Sequence, residues 1–135
     1  MAAEDLPGAL DEARGVIARL AATGAAVVIE APLPIFKTPP FRCAAWYNSP
    51  NDICRLGLHM STEETNDLRR DAMEALLSLV DVAPNVFFWD PADTLCDANG
   101  CNGVTDAGPL FFDADHLSAY GNSLLVDPFM SGQWF

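Results

Sequence analysis

Twice in this chain an amphipathic helical stretch breaks at a turn residue and runs into a short, almost unbroken apolar segment. The first stretch opens on Asp5, a capping side chain, with Pro7 in its first turn. It places Leu6, Leu10, Ala13, Val16, Ile17 and Leu20 at helical spacing. Gly24, free to take a positive φ, stops it. Ala25 to Ala31 follows, rich in β-branched residues and backed by Pro32, and reads as a buried strand of a parallel sheet. The second stretch opens on Ser61-Thr62-Glu63-Glu64, a capping box, and predicts a helix to about Asp81. Leu68, Ala72, Leu76, Leu77 and Val80 form its expected buried stripe. Pro84 and Asn85 break it, and Val86-Phe87-Phe88-Trp89 is the second strand. Such alternation specifies an α/β layer fold with parallel strands.

The remaining elements are short. Pro109-Leu110-Phe111-Phe112 is a third extended run. Leu117 opens a last helix that closes near Asp127-Pro128, and Ser131 to Phe135 is a tail. Two or three strands are few for such a sheet, which usually carries about five. Residues 1–135 therefore read as one partial domain, the C-terminal half of a larger sheet. A half-sheet leaves an unpaired inner edge and one uncovered apolar face, so the isolated chain is expected to aggregate or to dimerise through that edge.

Pro32 to Met60 reads as a long irregular loop, with Pro32, Pro34, Pro39, Pro40 and Pro50 in it. Four cysteines, Cys43, Cys54, Cys96 and Cys101, admit two disulfides in three connectivities. Pairing sequence neighbours closes two small polar loops, and disulfides imply an oxidising compartment. The alternatives are zinc, for which Cys43 and Cys54 are too far apart to form a hook, and four unpaired thiols.

The formal net charge of −12 disfavours nucleic-acid backbones and anionic lipid as partners. No apolar run approaches a membrane span. Met1 to Gly8 carries Glu4 and Asp5 and no basic residue, so it does not read as a signal peptide.

The chemistry concentrates in Phe111-Phe112-Asp113-Ala114-Asp115-His116-Leu117-Ser118. An apolar strand delivers a carboxylate and an imidazole into a turn at the sheet's C-terminal end, where open α/β sheets bind ligands. Acyl transfer through a serine needs a base of near-neutral pKa, and that base needs a partner to hold its tautomer. Asp113, three residues before His116, can reach the ring Nδ1. Asp115 is expected to point away and to cap the last helix. The bland alternative is an exposed Asp/His turn. His59, the other histidine, reads as a loop residue with a local hydrogen bond. A metal site of His59, Asp113, Asp115 and His116 is the minor alternative, and no metal or other cofactor is assigned. Trp46 and Tyr47 are candidates for stacking on a sugar, the alternative being rings that cover the core under the loop.

Asp90-Pro91, Leu95-Cys96, Cys101, Leu110-Phe111-Phe112, Asp113-Ala114-Asp115-His116-Leu117-Ser118 and Gly121 together resemble the end of SGNH (GDSL-like) domains fused to type-3 membrane acyltransferases. Val27-Val28-Ile29, Pro32, Pro34 and Cys43 extend the resemblance upstream. It implies a three-layer parallel-sheet, flavodoxin-like α/β fold, present here as its C-terminal part. It also implies that Asp113 and His116 serve a catalytic serine in the O-acylation or deacylation of cell-envelope glycans. That serine belongs to a Gly-Asp-Ser motif, which this chain does not contain. Gly100, Asn102 and Gly103 lie in the wrong region to be oxyanion donors. Ser118, Ser49 and Ser61 are poor substitutes, since Ser118 and Ser61 stand where helices need caps.

Three readings result. In the first, the chain is a truncated SGNH domain that supplies the Asp–His pair. Its partners are an acyl donor, a glycan acceptor, and a missing N-terminal half or membrane acyltransferase domain. The expected location is periplasmic or otherwise extracytoplasmic, tethered to the inner membrane through that missing part. In the second, it is a non-catalytic, exported, disulfide-stapled binding module. In the third, it binds a metal.

Overall fold

The computed structural model describes residues 6–135. Asp5, the expected cap of the first helix, lies outside them. Helix α1 spans Leu6–Ala21 and buries Ile17 and Ala21, while Leu6, Val16 and Leu20 face solvent. Gly24 follows at φ 86°, as its helix-stopping role requires. Strand β1 is Val27–Glu30.

The stretch expected to be an irregular loop holds two short helices, α2 (Pro40–Cys43) and α3 (Asp52–Gly57), and strand β2 (His59–Met60). Pro40 at the first position of α2 is compatible with a helix start, which is why a proline-rich segment can still coil. Asn51 caps α3 by accepting from the Ile53 amide at 2.9 Å. A Cys43–Cys54 disulfide joins the two helices.

Helix α4 (Thr62–Leu77) opens on the expected capping box. The Ser61 hydroxyl accepts from the Glu64 amide at 3.1 Å, and the Glu64 carboxylate accepts from the Ser61 amide at 3.0 Å. The helix ends sooner than expected, and a 3-10 turn covers Val80–Val82. Its inward face also differs from the expected stripe. Thr65 and Arg69 are buried, while Leu68 is 66% exposed and Ala72 and Leu77 also face out. Leu76 and Val80 are half-buried. The reason is polar satisfaction. Arg69 Nε donates to the Pro32 carbonyl at 2.7 Å, and its Nη2 donates to Asp90 at 2.5 Å. An arginine with such partners can take the inward position that hydrophobicity alone assigns to leucine.

Strand β3 (Val86–Trp89) pairs with β1 in parallel, Val27 opposite Val86 and Glu30 opposite Trp89. The chain is thus α/β, as expected. The pair contributes to two apolar clusters. One holds Ile29, Val86 and Phe88 with Ile17, Ala21 and Leu79. The other holds Trp89, with Val28 packed against it, and Phe36, Met60, Leu110, Phe111 and Leu125. Residues pointing to both sides of the strands are therefore covered, which corrects the expected bare face.

The sheet's edges differ from one another. Beyond β3, the Phe88 amide donates to Phe135 and the Phe135 amide donates to Phe88 at 3.0 Å, so the tail closes that side. On β1, the Val27 and Ala31 amides donate to Asn85 and Trp89 carbonyls at 2.9 Å. Alternation along a parallel ladder turns the Val28 and Glu30 amides the opposite way, where the described residues offer no strand. The expected unpaired inner edge is this one.

After α5 (Ala92–Leu95) come β4 (Cys96–Asp97) and β5 (Gly100–Asn102), which form an antiparallel sheet with β2. A Cys96–Cys101 disulfide crosses β4 and β5. Among the described residues no cysteine is free, which removes the zinc and free-thiol alternatives. Gly100 sits at φ 124°, and a Cβ there would meet the Met60 carbonyl oxygen at 2.0 Å. The small hairpin β6 (Val104–Thr105) and β7 (Gly108–Pro109) leads to Leu110.

Helix α6 (Ala119–Met130) runs past Asp127 and keeps Pro128 within its last turn, against the expected stop. Gly121 lets α6 sit on the chain before it: a Cβ there would lie 2.1 Å from the Leu110 carbonyl oxygen. Gly121→Ala is expected to destabilise the fold by about 3 kcal/mol through this backbone clash. Urea midpoints at constant slope would check it, and an unchanged midpoint would contradict the packing described.

Candidate active site

The turn from Asp113 to His116 is built by a short bridge. Phe111 pairs with Leu117, and the Phe112 amide donates to the His116 carbonyl at 2.8 Å. The Asp113 Oδ1 then accepts the backbone amides of Asp115 at 3.1 Å and His116 at 2.8 Å. Short polar side chains that bond amides two and three residues on stabilise such turns. The same carboxylate lies 2.9 and 3.0 Å from His116 Nδ1. A carboxylate only accepts, so Nδ1 carries the proton and Nε2 is left as the free ring nitrogen. The His116 side chain is 77% exposed.

Asp115 does not point away as expected. Its Oδ1 lies 3.2 Å from His116 Nδ1. It does not cap α6 either, because Ser118 does, accepting from the Gly121 amide at 3.0 Å while donating to the Pro109 carbonyl at 2.6 Å. With both hydroxyl functions committed, Ser118 is held as a structural residue. Ser61 is likewise a cap.

Charge follows from these bonds. Backbone amides of His116 and Asp115 pull the Asp113 carboxyl down to about 2. The Asp113 hydrogen bond, then the Asp113 and Asp115 charges, raise His116 above its usual 6.5. A raised histidine pKa favours the folded, protonated form below the ordinary value, and that contribution fades as pH climbs through the raised one. The depressed Asp113 contributes above its ordinary 3.8 and loses that contribution toward pH 2. A ring-proton NMR titration of His116 is therefore expected to show a midpoint above 6.5, moving down in Asp113→Asn. A midpoint indifferent to Asp113→Asn would contradict the pairing.

The turn is fastened to the segment that follows β1. The Phe36 amide donates to the Ala114 carbonyl at 2.8 Å, and Phe36 is itself buried against Phe111, ring centroids 4.9 Å apart. An open cleft of about 390 Å³ between them is lined by Glu30, Ala31, Pro32, Leu33, Ile35 and Asp115. The Asp–His turn thus borders the carboxyl end of β1, the strand that carries the unpaired inner edge among the described residues.

A family model described as an SGNH domain (fused to AT3 domains) matches residues 3–131. The chain belongs to this SGNH family. No curated protein and no solved structure matches it. The family is one of hydrolases and acyltransferases, and its fusion partner is a membrane acyltransferase domain. In this SGNH chain no described helix is long and apolar enough to cross a membrane. Its two disulfides fit an extracytoplasmic location.

The other expected site residues fall elsewhere. His59 lies on β2, its Nδ1 donating to Asn102 Oδ1 at 2.9 Å. It does not join Asp113, Asp115 and His116, whose ligand atoms lie within 4.8 Å of one another. That exposed trio could offer a cation one nitrogen and carboxylate oxygens, but the nitrogen facing the carboxylates already carries a proton. Trp46 and Tyr47 are 83% and 67% exposed, so they do not cover the core. They contact each other edge to face at 5.7 Å. Sequence reasoning missed Phe41, whose ring lies 5.3 Å from that of Phe112 beside the Asp–His turn. The alternation of buried Phe111 with Phe112 was the available signal for an outward Phe112; nothing local marks Phe41.

Proposed function

We propose that this chain is the C-terminal part of an SGNH domain, supplying Asp113 and His116 to a serine-type acyl transfer or ester hydrolysis whose nucleophile another segment brings. The observation that carries this reading is the Asp113 carboxylate on Nδ1, with Nε2 free and exposed. A base must take the hydroxyl proton on attack and return it to the leaving group, and an imidazole with its far nitrogen fixed does both.

The free edge of β1 supports the same reading. A further parallel strand added at Val28 and Glu30 would end beside the Asp–His turn, where a Gly-Asp-Ser turn would face Nε2. The completed sheet would be the three-layer, flavodoxin-like arrangement of the family. The substrates in this reading are an acyl donor and a cell-envelope glycan acceptor. The location is periplasmic, with membrane tethering through the acyltransferase domain. Alone, the chain is expected to self-associate through that edge. Glu30→Pro removes an outward amide without touching the β1–β3 ladder, and should shift the chain toward monomer in size-exclusion chromatography. A monomeric wild type would contradict this.

The test is complementation. Mixed or co-expressed with a Gly-Asp-Ser-bearing N-terminal SGNH segment, the chain should hydrolyse p-nitrophenyl acetate, and neither part should do so alone. Hydrolysis that needs the segment but not His116 would sink the proposal. A second reading, a non-catalytic disulfide-stapled binding module, is favoured by the exposure of Trp46 and Tyr47 on the stapled loop; it predicts glycan binding with no such complementation.

A further inference from the structure

The Cys43–Cys54 disulfide closes α2 and α3 into a small hairpin whose burial runs opposite to that of an ordinary surface element. Its inward positions are Pro40, Cys43, Cys54 and Gly57. Gly57 packs so closely that a Cβ there would lie 2.5 Å from Thr38 Cγ2. Its outward positions are large and apolar. Trp46 and Tyr47, inside the disulfide loop, are 83% and 67% exposed, and Ile53 and Leu56 are 69% and 67% exposed. Three residues apart on α3, Ile53 and Leu56 share one outward side of that helix. A single exposed apolar residue is ordinary, but four on one stapled hairpin mark a contact surface. Charge also separates this hairpin from the rest of the molecule. Residues 31–61 hold three of the seven basic side chains, Lys37, Arg42 and Arg55, and one of the nineteen acidic ones, Asp52. Asp52 is paired with Arg55 at 2.8 Å, whereas exposed Arg42 has no carboxylate partner among the described residues. The net charge of −12 that sets the chain as a whole against anionic lipid is therefore carried elsewhere, and salt confines its reach to about 10 Å.

We propose that the α2–α3 hairpin docks on a bilayer surface, with Trp46 and Tyr47 at the headgroup level, Ile53 and Leu56 against the acyl boundary, and Arg42 on lipid phosphate. Trp and Tyr suit that level because each joins an apolar ring to a polar N–H or O–H that stays wet. Ile53 and Leu56 offer no flat face to a sugar, and their gain comes from leaving water for hydrocarbon. With the acidic side chains elsewhere, this orientation meets anionic headgroups with the least repulsion. The disulfide and the Thr38 contact hold the hairpin's shape, so little freedom is lost on contact. The hairpin seats on the membrane and does not span it, since no described helix is long and apolar enough to cross one. A bilayer is within reach because the family's fusion partner is a membrane acyltransferase domain. The contact itself needs neither tether nor catalysis, and it stands apart from the acyl-transfer reading.

Flotation of the purified chain with vesicles of phosphatidylethanolamine and phosphatidylglycerol, in a three-to-one ratio, tests this. Wild type should float with the lipid, and its tryptophan emission should shift to the blue, because Trp46 leaves water while Trp89 is already buried. Trp46→Ser with Tyr47→Ser, and Ile53→Ser with Leu56→Ser, should each lower the floated fraction about fivefold, and Arg42→Glu about twofold. These side chains face solvent, so the variants keep the fold. Leu68→Ser, at a residue 66% exposed on α4, should float as wild type does. So should His116→Ala, which separates this result from that of the complementation assay. Failure of the folded wild type to float, flotation that survives either double variant, or an equal loss in Leu68→Ser would overturn the proposal. Where wild type does not float, self-association lost in the double variants would give the face to a second copy of the chain, and maltohexaose binding lost in them would give it to a glycan.

Discussion

If Asp113 and His116 serve a serine nucleophile as proposed, His116→Ala should lower ester turnover by a factor on the order of 10⁶, and Asp113→Asn by about 10⁴. The two numbers differ because the residues act differently. In the proposed mechanism, nothing would take the serine proton without the imidazole. Without the Asp113 charge the ring remains, but neither its tautomer nor its developing positive charge is held. Asp115 complicates the second figure, since its oxygen also lies near Nδ1. If Asp115 substitutes, Asp113→Asn will show a smaller loss, and the Asp113/Asp115 double variant will recover the full one. The pH profile gives an independent check. With the neutral ring as the proposed base, the rate should rise with pH through the raised His116 value, and that limb should move down in Asp113→Asn. Equal rates for wild type and His116→Ala would remove the pair from the mechanism.

Arg69→Met should destabilise the fold by about 3–5 kcal/mol, because it strands the Asp90 carboxylate in a nearly buried site. That is a large part of the roughly 5–15 kcal/mol available to a domain of this size. Asp90 also accepts the Ala92 amide at 2.9 Å, so its position at the end of β3 is itself constrained. Pairing Arg69→Met with Asp90→Asn removes both charges and should recover part of the loss, which a cavity effect alone would not. The consequence reaches the site. Arg69 holds the Pro32 carbonyl, and four residues later Phe36 holds Ala114 in the Asp–His turn. Urea unfolding of the three variants decides it: a single-variant cost below 1 kcal/mol would contradict the buried ion pair.

Much of this arrangement is legible in the amino-acid order, and its gaps have physical causes. The two parallel strands follow from short β-branched runs that alternate with helices. The capping box at Ser61 and Glu64 and the stop at Gly24 follow from local chemistry. The Asp113–His116 contact follows from spacing, because a three-residue turn leaves the carboxylate few other places to go. Long-range satisfaction is not legible in the same way. Arg69 faces inward only because Pro32 and Asp90, distant in sequence, converge on it, and that convergence turns Leu68 outward. The short helices at Cys43 and Cys54 are hard to read because Pro40 opens the first and Pro50 stands just before the second, and both span six residues or fewer. The bonding of Phe135 to β3 leaves no local mark at all, since a tail of small and aromatic residues has no period to read. The position of Asp115 is not legible because adjacency in sequence suggests divergence, whereas a tight turn brings both carboxylates onto one imidazole.

The most direct measurement is fluorophosphonate labelling of the purified, folded chain, read by intact mass, with His116→Ala as control. The expected result is no adduct on this chain, and an adduct on the serine-bearing segment only when the two are combined. An adduct on the chain alone that disappears in His116→Ala would contradict it, for one of its own serines would then be the nucleophile.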